Sequence, residues 1–180
     1  MYSLLDRRPD CTRKQGYLHP QCQRVNSRSC FIQASGTSSM NKPRLHHVGF
    51  VVESISQSAP AFARALLLEW DGSIIHDPLQ LVNVTFLPSN PGSESTVELV
   101  EPLGRRSPVR QFVEAGGGLH HVCYEVDDLK TQVASSQAAG GSLVRVPLPA
   151  VAFLGRKIAW IVTAEKLLVE YLERSNGLAA

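Results

Sequence analysis

Two stretches of this chain alternate between apolar and polar positions in the same way. His46-His47-Val48-Gly49-Phe50-Val51-Val52-Glu53-Ser54-Ile55 aligns without gaps on His120-His121-Val122-Cys123-Tyr124-Glu125-Val126-Asp127-Asp128-Leu129. Phe50 meets Tyr124, Val52 meets Val126, and Glu53 meets Asp127. Both runs are short, alternating and rich in β-branched residues, which predicts a strand in each. A helical stretch follows each strand, over 54–68 and 127–139. The second helix stops at Gly140-Gly141, with Asp127 or Asp128 as its N-cap. Further strands are expected near 72–76, 80–88 and 95–101 after the first helix, and near 142–146, 156–163 and 167–173 after the second. The pattern is α+β: two tandem βαβββ modules, 44–104 and 118–174, in one domain over 40–176. The linker 105–117 is expected to hold a short helix at 105–115, followed by a flexible joint at Gly116-Gly117-Gly118.

Successive side chains on a strand point to opposite faces. His46, Val48, Phe50 and Val52 therefore share one face, as do His120, Val122, Tyr124 and Val126. That apolar face is expected against the helices, which makes His46 and His120 partly buried core histidines. The other face carries His47, Gly49 and Val51 in one module, and His121, Cys123 and Glu125 in the other. Each histidine pair is followed about fifty residues later by a glutamate in an apolar strand: Glu98 in Thr96-Val97-Glu98-Leu99-Val100, and Glu170 in Leu168-Val169-Glu170-Tyr171-Leu172. The repeat thus nominates His47, Glu98, His121 and Glu170 as one metal site. Asn83 and Thr85, on one side of the strand at 81–87, are candidate substrate contacts along with Cys123.

Composition adds limits. Hydrophobic residues make up 43% of the chain and charged residues 19%, as expected of a globular domain. No apolar run approaches the roughly 18 residues that cross a membrane. Residues 1–39 hold six Lys/Arg against two Asp, while residues 40–180 hold twelve against fourteen Asp/Glu. A mildly acidic domain without a basic stripe argues against nucleic acid as a partner. Residues 1–39 lack periodicity and contain Cys11, Cys22 and Cys30, whose spacing matches no metal signature. They are expected to be a disordered extension, or to precede a natural start at Met40. Only Cys123 then lies in the domain, which fits a reducing, cytoplasmic setting.

Two imidazoles and two carboxylates suit one divalent ion of the Zn, Ni, Co, Mn or Fe kind. Such an ion acts as a Lewis acid on a carbonyl, and a nearby carboxylate moves the proton of the adjacent C–H, a role assigned here to Glu170. Alternatively, the duplicated polar positions hold no metal and the domain binds a small molecule.

The residues quoted above, together with Glu98-Leu99-Val100-Glu101-Pro102-Leu103 and the run from Gly118 to Asp128, resemble the vicinal oxygen chelate superfamily over about 44–174. This superfamily includes glyoxalase I, methylmalonyl-CoA epimerase and the extradiol dioxygenases. The chain looks most like the epimerases. The resemblance implies an eight-stranded, half-closed sheet around a metal-centred cavity, with ligands at His47, Glu98, His121 and Glu170. It implies a metal-dependent isomerase or lyase acting beside a carbonyl, with an acyl-CoA epimerase as the first expectation. A glyoxalase I-type lactoylglutathione lyase and a drug-binding protein of the same fold are the alternatives. The substrate would be an acyl-CoA or a glutathione adduct, and a homodimer is compatible. Glutamate at 98 is more like glyoxalase I, since the epimerases often carry glutamine there. A bacterial epimerase carries a second catalytic glutamate on the strand corresponding to 81–87. Its nearest match here is Asn83, which cannot act as a base.

Overall fold

The computed structural model describes residues 42–88 and 96–175. The expectations for residues 1–39 and for a start at Met40 lie outside the described residues.

The chain runs β1 (Arg44–Val51), α1 (Ile55–Leu66), β2 (Ile75–Asp77), β3 (Val82–Pro88), β4 (Thr96–Pro102), α2 (Arg110–Glu114), β5 (Gly118–Val126), α3 (Leu129–Ala138), β6 (Ser142–Pro149), β7 (Lys157–Val162) and β8 (Leu168–Glu173). A single 3₁₀ turn, Val151–Phe153, joins β6 to β7. The eight strands form one curled sheet in the order β2-β3-β4-β1-β5-β8-β7-β6. Each half repeats the other: β1 pairs parallel with β4, β5 pairs parallel with β8, and the two first strands meet antiparallel at the centre. This is the half-barrel of tandem βαβββ modules.

Alternation along the strands separates two packing layers. On the helix side, Leu87 and Leu99 pack with Val52, Ile55 and Ala59, while Val126 and Ile161 pack with Leu129 and Val133. On the concave side, Val51, Val82, Val84 and Val100 form one cluster with Val109. Cys123, Ile158 and Leu172 form another with Ala150 and Phe153. Burying a residue such as Leu99 or Ile161 contributes about 1.5–3 kcal/mol. No helix among the described residues is long and apolar enough to cross a membrane.

The two helices begin differently. Asp128 caps α3, its carboxylate accepting the Thr131 N–H at 3.0 Å. Ser54 makes no such bond at α1. There the Ile55 N–H donates instead to Glu101 Oε2 on β4, at 2.7 Å. The linking helix is shorter than expected, with only Arg110–Glu114 helical. Gly117, at φ 66°, bonds back to the Phe112 carbonyl at 2.9 Å, so the glycine joint is a built turn into β5.

The far edges of the sheet are stitched together. Asp77, at the end of β2, accepts the N–H groups of Leu79, Gln80 and Val151 at 3.0, 3.0 and 2.8 Å. Gln80 Nε2 donates to the Pro149 carbonyl at 3.1 Å. The turn after β6 thereby roofs the concave face.

Candidate metal centre

The central strands set the site. Register places Gly49 of β1 between Glu98 of β4 and His121 of β5. By the same arrangement Cys123 of β5 lies between His47 of β1 and Glu170 of β8. Glu98, His121, His47 and Glu170 all project to the concave side and are 5%, 2%, 0% and 2% exposed. The His47 and His121 Nε2 atoms stand 3.1 Å apart. Glu98 Oε2 lies 3.4 and 3.3 Å from these two nitrogens, and Glu170 Oε2 lies 3.1 and 3.7 Å from them.

Four lone-pair donors this close need positive charge between them. One proton supplies part of it. Burial disfavours charge on His47, but Glu98 and Glu170 outweigh burial and raise its pKa to about 10. Burial likewise opposes the Glu98 carboxylate, yet His47 and His121 hold its pKa well below the usual range. Glu170 Oε2 still has no hydrogen-bond partner among the described residues. The donor spacing matches the edges of a coordination shell with bonds of about 2.1 Å, and the N/O donor set suits a divalent transition ion. His47, Glu98, His121 and Glu170 therefore fit such an ion.

Aromatic rings hold the imidazoles. Phe153 stacks on His47 at 5.8 Å, Phe86 meets it edge-on at 5.8 Å, and Trp160 meets His121 edge-on at 4.7 Å. Gly49 is required at its position. A Cβ there would lie 2.0 Å from His121 Cε1, so any side chain would collide with the ring.

A cavity of about 230 Å3 opens beside the quartet. Its walls are mainly apolar and include Val82, Val84, Val100, Phe153, Ile158 and Trp160. Arg145 is the only lysine or arginine among the described residues that line it. The register breaks on either side of Arg145 in β6 re-aim the strand there.

Three sequence expectations need correction. Asn83 and Thr85 do not line the cavity. Both lie on the helix side, where Asn83 Nδ2 donates to Glu101 at 3.0 Å and Thr85 takes the Trp70 indole N–H at 2.9 Å. The apolar face of β3 turns to the cavity instead, because the cavity itself is apolar. Cys123 is fully buried beneath the His47–Glu170 row and is not among the lining residues. Burial, then Glu170, pushes its thiol pKa up, so it stays protonated. Glu125, which shares the β5 face of His121 and Cys123, is not among the lining residues either and pairs with Arg44 at 2.8 Å and Arg156 at 2.7 Å.

His46 and His120 also depart from simple alternation. Pairing jumps from Leu45–Tyr124 to His47–Cys123, and from Gly49–His121 to Phe50–Leu119. Each jump is a bulge that releases one histidine from the helix face. His46 Nδ1 then lies 2.8 Å from His47 Nδ1, and His120 Nδ1 lies 3.1 Å from His121 Nδ1. Burial, then the neighbouring ligand histidine, lowers the pKa of both, to about 4 for His120. His120, Phe153 and Arg145 are cavity residues that sequence reasoning missed. Only the doubling of His-His pointed to the first of them.

Comparison with known proteins gives a consistent family. Residues 46–160 match the Glyoxalase/Bleomycin resistance protein/Dioxygenase superfamily. The chain is 30% identical over 120 residues to an ethylmalonyl-CoA/methylmalonyl-CoA epimerase of Cereibacter sphaeroides, covering 66% of this chain and 87% of that one. It is 34% identical over 112 residues to the mitochondrial methylmalonyl-CoA epimerase of Homo sapiens, covering 61% of each. Among solved structures, a hypothetical protein of Bacillus halodurans C-125 superposes with a TM-score of 0.66 at 27% identity, over 78% of this chain and all of that one.

Proposed function

The chain belongs to the Glyoxalase/Bleomycin resistance protein/Dioxygenase superfamily, and on that premise we propose that it is a metal-dependent acyl-CoA epimerase acting on a carbon next to a thioester carbonyl. The observation that carries this reading is the buried quartet, whose Glu170 Oε2 faces both imidazoles yet makes no hydrogen bond among the described residues. The epimerases among its relatives support the substrate class.

His47, Glu98, His121 and Glu170 would hold one divalent ion of the Co, Ni, Mn, Zn or Fe kind. Bound there, the ion supplies Lewis-acid polarisation of the substrate carbonyl, which acidifies the neighbouring C–H. The Glu170 carboxylate would take that proton: the C–H bond breaks, its electron pair passes into the enolate, and the carboxylate becomes a carboxylic acid. The apolar walls exclude water from the carbanionic carbon. Arg145 lines the cavity and would bind the anionic end of the substrate.

An epimerase must return a proton to the opposite face. The cavity side of β3 is Val82 and Val84, so no carboxylate comes from that strand. That observation favours a second reading. A glyoxalase-type isomerase moves a proton between adjacent carbons on one face and needs only one base. Glu98, as a carboxylate rather than an amide, is in keeping with it.

The test incubates the ion-loaded protein in D2O with methylmalonyl-CoA, with ethylmalonyl-CoA, and with methylglyoxal plus glutathione. Deuterium at C2 with loss of optical purity supports the epimerase. Lactoylglutathione formation supports the second reading. Absence of both deuterium at C2 and lactoylglutathione, at one bound ion per chain, overturns both readings.

A further inference from the structure

We propose that His46 and His120 are positioning residues that lock the two ligand histidines with Nε2 turned into the quartet. The proposal rests on the reading that the quartet holds an ion.

A ring nitrogen that faces an ion must present a lone pair, so the proton of each ligand imidazole has to sit on Nδ1. In both modules that Nδ1 meets the Nδ1 of the preceding histidine, at 2.8 Å for His46 and 3.1 Å for His120. The ligand Nδ1–H donates, and His46 or His120 accepts with its own proton on Nε2. The wrong tautomer of either partner would leave two lone pairs or two protons face to face.

The backbone is shaped for this contact. On a regular strand neighbouring side chains point to opposite faces and could not touch. Each pair sits at a break in the β1–β5 register, and the break occurs once per module. Each pair of rings is nearly perpendicular, with centroids 5.1 Å apart at 80° and 5.3 Å apart at 89°. Aromatic side chains fix the outer rings in turn. His46 is held by Phe153 at 5.4 Å and Phe86 at 6.5 Å. His120 is held by Phe112 at 4.9 Å and Trp160 at 6.2 Å. The unused edges differ, since His120 lines the cavity and His46 does not. Loss of His120 therefore touches substrate binding as well as the ion.

The experiment uses the full chain and cobalt(II) chloride. His46→Leu and His120→Leu remove the acceptor, whereas His46→Gln and His120→Gln restore one. Ion affinity is read by calorimetry, and ligand geometry by the visible absorption of bound cobalt. Each leucine variant is expected to bind 10–100-fold more weakly with shifted bands, and each glutamine variant to recover part of both. Because His120 also lines the cavity, His120→Leu is expected to raise KM for a turned-over substrate more than His46→Leu does. Folded leucine variants with parental affinity and bands, or glutamine variants no better than leucine, would overturn the proposal. If a leucine variant does not fold, long-range 1H–15N spectra of the zinc-loaded parent decide. Protons on Nδ1 of His47 and His121 are expected, and protons on Nε2 would overturn it. A parent chain that binds no Co, Ni, Mn, Zn or Fe sinks the metal reading and this proposal together. A parent that binds, with indifferent leucine variants, sinks this proposal alone.

Discussion

The first module, β1 to β4, and the second, β5 to β8, each contribute one histidine and one glutamate to the quartet, yet they support them differently. Two residues beyond its histidine the first module has Gly49, because the His121 ring lies over that position. The second has Cys123 there, and the thiol fills core beneath His47 and Glu170. Phe86 flanks His47, whereas the larger Trp160 flanks His121. The first helix takes its starting N–H partner from a neighbouring strand, and the second caps itself. Positions that carry chemistry match across the repeat, while several that pack around them differ. A duplicated fold keeps its donor atoms in place and can satisfy everything around them in more than one way.

The largest break in this comparison comes from Gly49→Ala. The added methyl overlaps His121, so we expect a stability loss of about 3 kcal/mol and an ion affinity at least about 100-fold weaker. Cys123→Ala at the matching position leaves a small void, costs about 1 kcal/mol and spares the ion. Denaturant titration with metal analysis checks the pair, and equal effects would refute the asymmetry.

Next is Asp77→Ala, which removes the carboxylate that ties the edge of the first module to the turn of the second. Three N–H groups lose their partner, and about 2–3 kcal/mol should be lost in thermal or urea unfolding. Cap substitutions follow. Asp128→Ala should cost about 1 kcal/mol, and Ser54→Ala less than about 0.5 kcal/mol because Ser54 makes no cap bond. Glu101→Ala, not Ser54→Ala, should be the costly change at the first helix.

The smallest expected effect is a proton count. In the ion-free protein His47 has its pKa raised from 6.5 to about 10. Its protonation contributes stability in full below pH 6.5, and that contribution fades as pH rises through about 10. The ion displaces this proton, so loading at pH 7 should release about one proton per site. Calorimetry in two buffers of different ionisation enthalpy measures it, and zero release would contradict the assignment.

The sequence pattern was a good guide wherever period two or an internal repeat governed the structure. The eight strands, the Asp128 cap and the convergence of His47, Glu98, His121 and Glu170 could all be anticipated from it. Alternation separates two faces but does not say which one is concave. The premise that polar residues line cavities puts Asn83 and Thr85 on the cavity side. Here the wall is apolar, and the polar side of β3 serves Glu101, Trp70 and Ser73. The bulges at His46 and His120 left no local mark either, because they depend on pairing between strands 74 residues apart.

One feature of β6 reaches beyond the cavity. It is an edge strand, and Val144 and Val146 on it are 56% and 69% exposed. A regular strand of that composition would offer a ladder of open N–H and C=O groups to another chain and seed aggregation. The two register breaks around Arg145 interrupt that ladder, and Pro147 and Pro149 remove two donors from it. The irregularity around Arg145 thus also makes this edge a poorer template for a strand of another chain.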